Sequence, residues 1–145
     1  MTTDLNLKTA AAASLARWHD MIARGDLSDL GVIIHPDATF RSPVAFKPYR
    51  SAQAVILALS TVITVFEDFE YHRQAATPDG LNVVLEFSAR VGDKGVKGID
   101  FVRFDEAGLI VDFEVMMRPM NGVQALAAEM GQRLGDIIPA FKDKA

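Results

Sequence analysis

The chain has 145 residues, half of them apolar, and a net charge of −4. That is enough apolar surface for a proper core, which argues against disorder. The charge is too weakly patterned for nucleic acid or anionic membranes, which call for a clustered basic face. Cysteine is absent, so disulfides, thiolate metal sites and thiol nucleophiles are excluded together.

The N-terminus lacks a basic-then-apolar leader, and no apolar run approaches the roughly 18 residues of a membrane span. A cytoplasmic protein is expected. One domain over 1–145 follows, with a core over about 7–119 and an added helix over about 121–138.

Leu7, Ala11, Leu15, Trp18 and Ile22 recur at helical spacing, with Asp4 or Asn6 as a cap and Gly25 at the C-terminus. Asp26 can open a short second helix carrying Leu27, Leu30, Ile33 and Ile34, limited by Pro36. Residues 38–42 read as a strand, and Pro43 and Pro48 bracket a loop. Ser51 caps a third helix with Val55, Leu59, Val62, Ile63 and Phe66 on its buried side. Its β-branched second half leaves the end open. From Phe69 the pattern is extended, with turns at Thr77–Gly80, at Asp93-Lys94 and at Glu106–Gly108. Asn121 can cap a last helix using Leu126, Met130 and Leu134, ended by Pro139. Helices, then a strand meander, then one more helix make an α+β fold with an antiparallel sheet.

Gly98-Ile99-Asp100-Phe101-Val102-Arg103-Phe104 is apolar on both faces, so it is covered on both. Asp100 shares a face with Val102 and Phe104. A carboxylate there must be neutral, hydrogen-bonded or open to a wet cavity. With Asp93 and Lys94 as the two turn residues, Phe87 falls opposite Asp100 and Leu85 opposite Val102. With Asp105–Gly108 as the next turn, Phe104 pairs with Leu109, Val102 with Val111, and Asp100 with Phe113. Asp100 between two aromatic rings should hold its proton more tightly. A four-residue turn after the preceding strand puts His72 on the same face; one more loop residue puts Tyr71 there. The sequence leaves both open.

Arg17-Trp18, Gly25-Asp26-Leu27 and Asp37–Val44, then Gly98–Glu106 with Gly108 and Ile110, resemble ketosteroid isomerases. More broadly, they resemble the SnoaL-like part of the nuclear-transport-factor-2-like superfamily. The resemblance implies a cone: a curved antiparallel sheet wrapped around N-terminal helices (a cystatin-like α+β barrel), with an apolar pocket and dimerisation through the sheet. In ketosteroid isomerase a carboxylic acid kept neutral by its apolar site donates a hydrogen bond to the developing oxyanion. Asp100 aligns with that acid. Trp18 stands where the family has a tyrosine donor, and Ser42 where it has the aspartate base. Serine without a partnered base cannot shuttle a carbon-bound proton, which argues against steroid isomerisation itself. If a base exists, it comes from another position, such as His72 or Asp100 itself in its ionised form.

The candidate catalytic residues are therefore Asp100 and His72. The candidate ligand contacts are Trp18, Phe40, Ser42, Tyr49, Leu85, Phe87, Val102, Phe113, Val115 and Met117. Met116 and Met120 are further lining candidates. No histidine pair has chelating spacing, so neither metal nor cofactor is expected. The expected partners are a small apolar ligand and a second copy of the chain, seated on the opposite face at Ile99, Phe101, Ile110 and Met116. The function expected is proton transfer next to a carbonyl, as in an isomerase or cyclase. The alternative is a ligand-binding or structural dimeric module without chemistry.

Overall fold

An amphipathic helix opens the fold and anchors a hairpin turn far along the chain. In the computed structural model, which describes residues 5–134, helix α1 (Thr9–Arg24) buries Ala11, Leu15, Trp18 and Met21. Three members of the expected stripe, Ala11, Leu15 and Trp18, are in it; Met21 is buried where Ile22 is half-buried, and Leu7 precedes the helix. Its end is a left-handed Gly25 whose N–H bonds the Ile22 carbonyl, a conformation that glycine adopts without steric cost. Its start lies at Lys8, with no side-chain cap. Gly108 is packed against the Ala10 backbone so closely that a Cβ would lie 2.5 Å from the Ala10 carbonyl oxygen. Ser14 Oγ also donates to the Gly108 carbonyl at 2.5 Å. Helix and hairpin are thereby locked.

The second helix is only a 3-10 turn, Leu30–Ile33, and Ile34 and Pro36 already belong to strand β1 (Ile34–Arg41). Strand β2 (Tyr49–Arg50) follows, then helix α2 (Ala52–Val65), capped by Ser51 Oγ accepting from the Ala54 N–H. Despite its β-branched second half α2 stays helical to Val65, as its buried side at Val55, Ala58, Leu59 and Val65 outweighs local propensity. Strands β3 (Glu67–Ala76), β4 (Asn82–Val91), β5 (Lys94–Phe104) and β6 (Ile110–Arg118) form the meander, and helix α3 (Met120–Leu134) is the last element among the described residues. Asn121 lies inside α3 instead of capping it; Pro139 and the end of the expected helix fall outside the described residues.

The six strands lie in the order β2-β1-β6-β5-β4-β3. The expected α+β architecture holds, with one departure: β1 and β6 run parallel, so the curved sheet is mixed. The core fills its concave side, where Leu30, Val55, Phe104 and Phe113 meet α1 and α2.

Register differs from the expected one by two residues at both hairpins. Val91 pairs with Lys94, so Gly92 and Asp93 make the turn. Gly92 has φ +60° at the first central position, which a non-glycine residue rarely adopts. Leu85 and Val115, not Phe87 and Phe113, consequently flank Asp100. Phe87 lies opposite Gly98, whose missing side chain leaves room for the ring: a Cβ there would come within 2.9 Å of it. A shift of two preserves the face of every side chain, so Asp100 still points inward.

A bulge between Arg103 and Phe104 does change faces. Phe104 pairs with Ile110 and Val102 with Phe113. Ile110 is therefore core, 1% exposed, and not on the outer face; Leu109 and Val111 lose the inward places assigned to them.

Candidate active site

Three side chains from three elements meet on the concave side of the sheet. Trp18 comes from the last turns of α1, Tyr71 from β3 and Asp100 from β5. Trp18 Nε1–H donates to Tyr71 Oη at 2.9 Å, and Tyr71 O–H donates to Asp100 Oδ2 at 2.5 Å. An indole N–H can only donate, and a phenol has one proton. The chain of bonds therefore runs one way, from Trp18 through Tyr71 to Asp100. Because Oδ2 is already an acceptor, a proton that neutralises the carboxyl belongs on Oδ1.

Asp100 is 6% exposed, and the Tyr71 bond is the one hydrogen bond to its carboxyl among the described residues. Burial disfavours the charged form and raises its pKa to about 7, with the Tyr71 bond pulling the other way. The Tyr71 hydroxyl is pushed well above its ordinary value by burial first and by the adjacent Asp100 second, so it remains a proton donor.

The carboxyl faces a cavity of about 400 Å³. Of the residues expected there, Trp18, Phe40, Ser42, Tyr49, Asp100 and Val115 line it. Leu85, Phe87, Val102 and Phe113 do not: they are almost wholly buried beneath it, and Met117 packs partly buried against the core. Trp18 meets Phe113 edge-on at 5.3 Å, and Phe69 stacks on Phe87 at 5.1 Å. Phe113 and Phe87 thus back the lining rings of Trp18 and Phe69 without lining the cavity themselves. Met116 and Met120 are exposed, and neither lines it.

His72 is exposed and hydrogen-bonded to Ser88 Oγ at 2.7 Å, away from the cavity. Tyr71 takes the inward place. The alternation slips here because β3 is irregular: Asp68 has a positive φ of 54°, and register shifts fall between Glu67 and Glu70 and between Tyr71 and Gln74. Ser42 lies one step beyond the Arg41–Glu114 pair, and its Oγ accepts the Val44 N–H at 3.0 Å.

Sequence reasoning missed the helical walls, built by Leu59, Val62 and Ile63 of α2 and by Leu126, Met130 and Leu134 of α3. Their apolar periodicity was visible, but not that these faces line a void.

The SnoaL-like domain family matches residues 15–113, and the chain belongs to this family, within the NTF2-like superfamily. Among solved structures it is similar to a steroid delta-isomerase from Pseudomonas aeruginosa, with 61% identity and a TM-score of 0.90 over 94% of this chain and 99% of that one. It is also similar to an uncharacterized bacterial protein with a cystatin-like fold from Silicibacter pomeroyi: 32% identity and a TM-score of 0.80, over 88% and 91% of the two chains. The epoxide hydrolase/cyclase-like enzyme SalBIII, involved in pyran ring formation in salinomycin, shares the fold at 17% identity and a TM-score of 0.64, over 81% and 97%. No curated protein matches the chain. No helix among the described residues is long and apolar enough to cross a membrane.

Proposed function

We propose that the protein is an isomerase- or cyclase-type enzyme that moves a proton at a carbon next to a carbonyl, on a small hydrophobic ring compound, with Asp100 as the acid/base. The observation that carries this reading is one carboxyl, buried and tethered through Oδ2 alone, facing an apolar cavity. Its free Oδ1 is the atom that exchanges the proton. A pKa of about 7 makes both states available near neutral pH. The carboxylate takes a proton from the carbon, leaving an enolate, and the resulting acid returns it to another atom of the same ligand. Tyr71 holds Oδ2 throughout, and Trp18 holds Tyr71. Among the described residues no other carboxyl and no histidine lines the cavity, so the Ser42 position leaves this work to Asp100. The steroid delta-isomerase similar to this chain makes a steroid-sized cyclic ketone the first compound to try.

The experiment follows exchange of protons next to the carbonyls of androstane-3,17-dione in D2O by NMR. The protein should accelerate exchange, and Asp100→Asn should cut the acceleration by about 10²- to 10⁴-fold while the fold persists. Binding of the dione with no acceleration by the wild-type chain would instead make the protein a ligand carrier.

The second copy belongs to the same proposal. Ile99 and Phe101 on the convex face are half-buried, and Met116 is 43% exposed, an apolar patch that a twofold dimer through the sheet would cover. Sedimentation should give a dimer at micromolar concentration, and a monomer there would reject it.

A further inference from the structure

The cavity's polar groups can be accounted for one by one. Thr64 Oγ1 donates to the Thr61 carbonyl and accepts from Arg133. Ser42 Oγ accepts from Val44, and Tyr71 is used at both ends. Besides Asp100 Oδ1, one hydroxyl lining the cavity makes no hydrogen bond among the described residues, that of Tyr49. Tyr49 is 5% exposed, and its ring is held nearly parallel to Phe40, at 6.2 Å and 7°. The ring is buried, while the hydroxyl keeps its proton free and opens onto a void that no lysine, arginine or histidine lines.

Sheet topology puts the two free groups on different walls. Tyr49 pairs with Phe40, Phe40 with Phe113, and Phe113 with Val102, two residues from Asp100. Three strand spacings amount to roughly 14 Å measured along the sheet, and the space between is apolar. From this geometry we infer that Tyr49 is a ligand-recognition residue, and that the ligand is an elongated, uncharged molecule carrying two oxygen functions. One oxygen lies at the Asp100 end, and the second accepts a hydrogen bond from the Tyr49 hydroxyl. Burial raises the tyrosine's pKa, so it stays a donor. An anionic ligand would find no countercharge in this lining. The inference rests on the reading of the cavity as a ligand site and adds the chemical class that site selects.

The test is a binding cycle at pH 6 with androstan-3-one and androstane-3,17-dione, which differ only by the second carbonyl. Wild type should bind the dione about three- to tenfold more tightly, the worth of one added hydrogen bond. Tyr49→Phe should erase that preference while leaving the monoketone's affinity unchanged, which also reports that the variant is folded. Ser42→Ala should keep the preference. A preference that survives Tyr49→Phe, or that Ser42→Ala removes instead, overturns the role of Tyr49 and leaves the ligand site standing. Failure of both ketones to bind wild type overturns the site and the inference together.

Discussion

Two carboxylates on neighbouring strands have similar residue exposure and opposite electrostatics. Asp100 on β5 is 6% exposed and Glu86 on β4 is 8% exposed. They are one step apart in register, since Leu85 pairs with Asp100 and Glu86 with Ile99, and so they point to opposite faces. Glu86 accepts two bonds from the Arg73 side chain, at 2.8 and 2.6 Å, and meets Lys97 at 3.2 Å. Arg73 first, then Lys97, hold its carboxyl well below the usual range. Asp100 has a phenol and apolar walls, and its pKa moves up to about 7. Desolvation with no charged neighbour makes Asp100 a proton-exchanging group, and two cations at the carboxyl make Glu86 an ionised structural one.

The most direct way to break this contrast is to neutralise each group. A carboxyl with a raised folded pKa binds its proton more readily in the native state, so stability is greatest below the unfolded pKa and falls as pH rises toward about 7. Asp100→Asn removes that loss: relative to wild type it should gain stability between pH 4 and pH 8, by up to about 4 kcal/mol. Glu86 obeys the opposite sign. Its stabilisation is present above the unfolded pKa and disappears as pH falls through the acid range, so Glu86→Gln should be less stable than wild type at pH 7 and approach it at low pH. Urea titrations across pH measure both, and parallel pH profiles would refute the contrast.

Tyr71→Phe sharpens it with a smaller effect. The variant leaves the Trp18 N–H without an acceptor, at a cost of about 1–3 kcal/mol. It also removes the bond that lowers the Asp100 pKa. The midpoint of Asp100 titration, read by NMR of its carboxyl carbon, should move above the wild-type value; a downward move would contradict the assigned direction of the bond.

Much of this site was legible before the fold was known. Asp100 was recognisable because a polar residue in a doubly apolar strand needs a physical excuse, and its face survived a register error of two residues. The identity of its neighbours was not legible. That depended on Gly92 taking the turn and on Phe87 needing the space above Gly98. Tyr71 remained one of two choices because β3 breaks its alternation twice, and no local signal marks a bulge built around Asp68. The parallel β1–β6 pair and the cavity walls on α2 and α3 depend on contacts between distant segments, on which period and propensity are silent.

The sequence contains one tryptophan, and its indole heads the row of bonds that ends on Asp100. Ultraviolet emission from this protein therefore originates beside the group proposed to do the chemistry. The molecule carries its own optical gauge, one that reads ligand entry and carboxyl ionisation without any label.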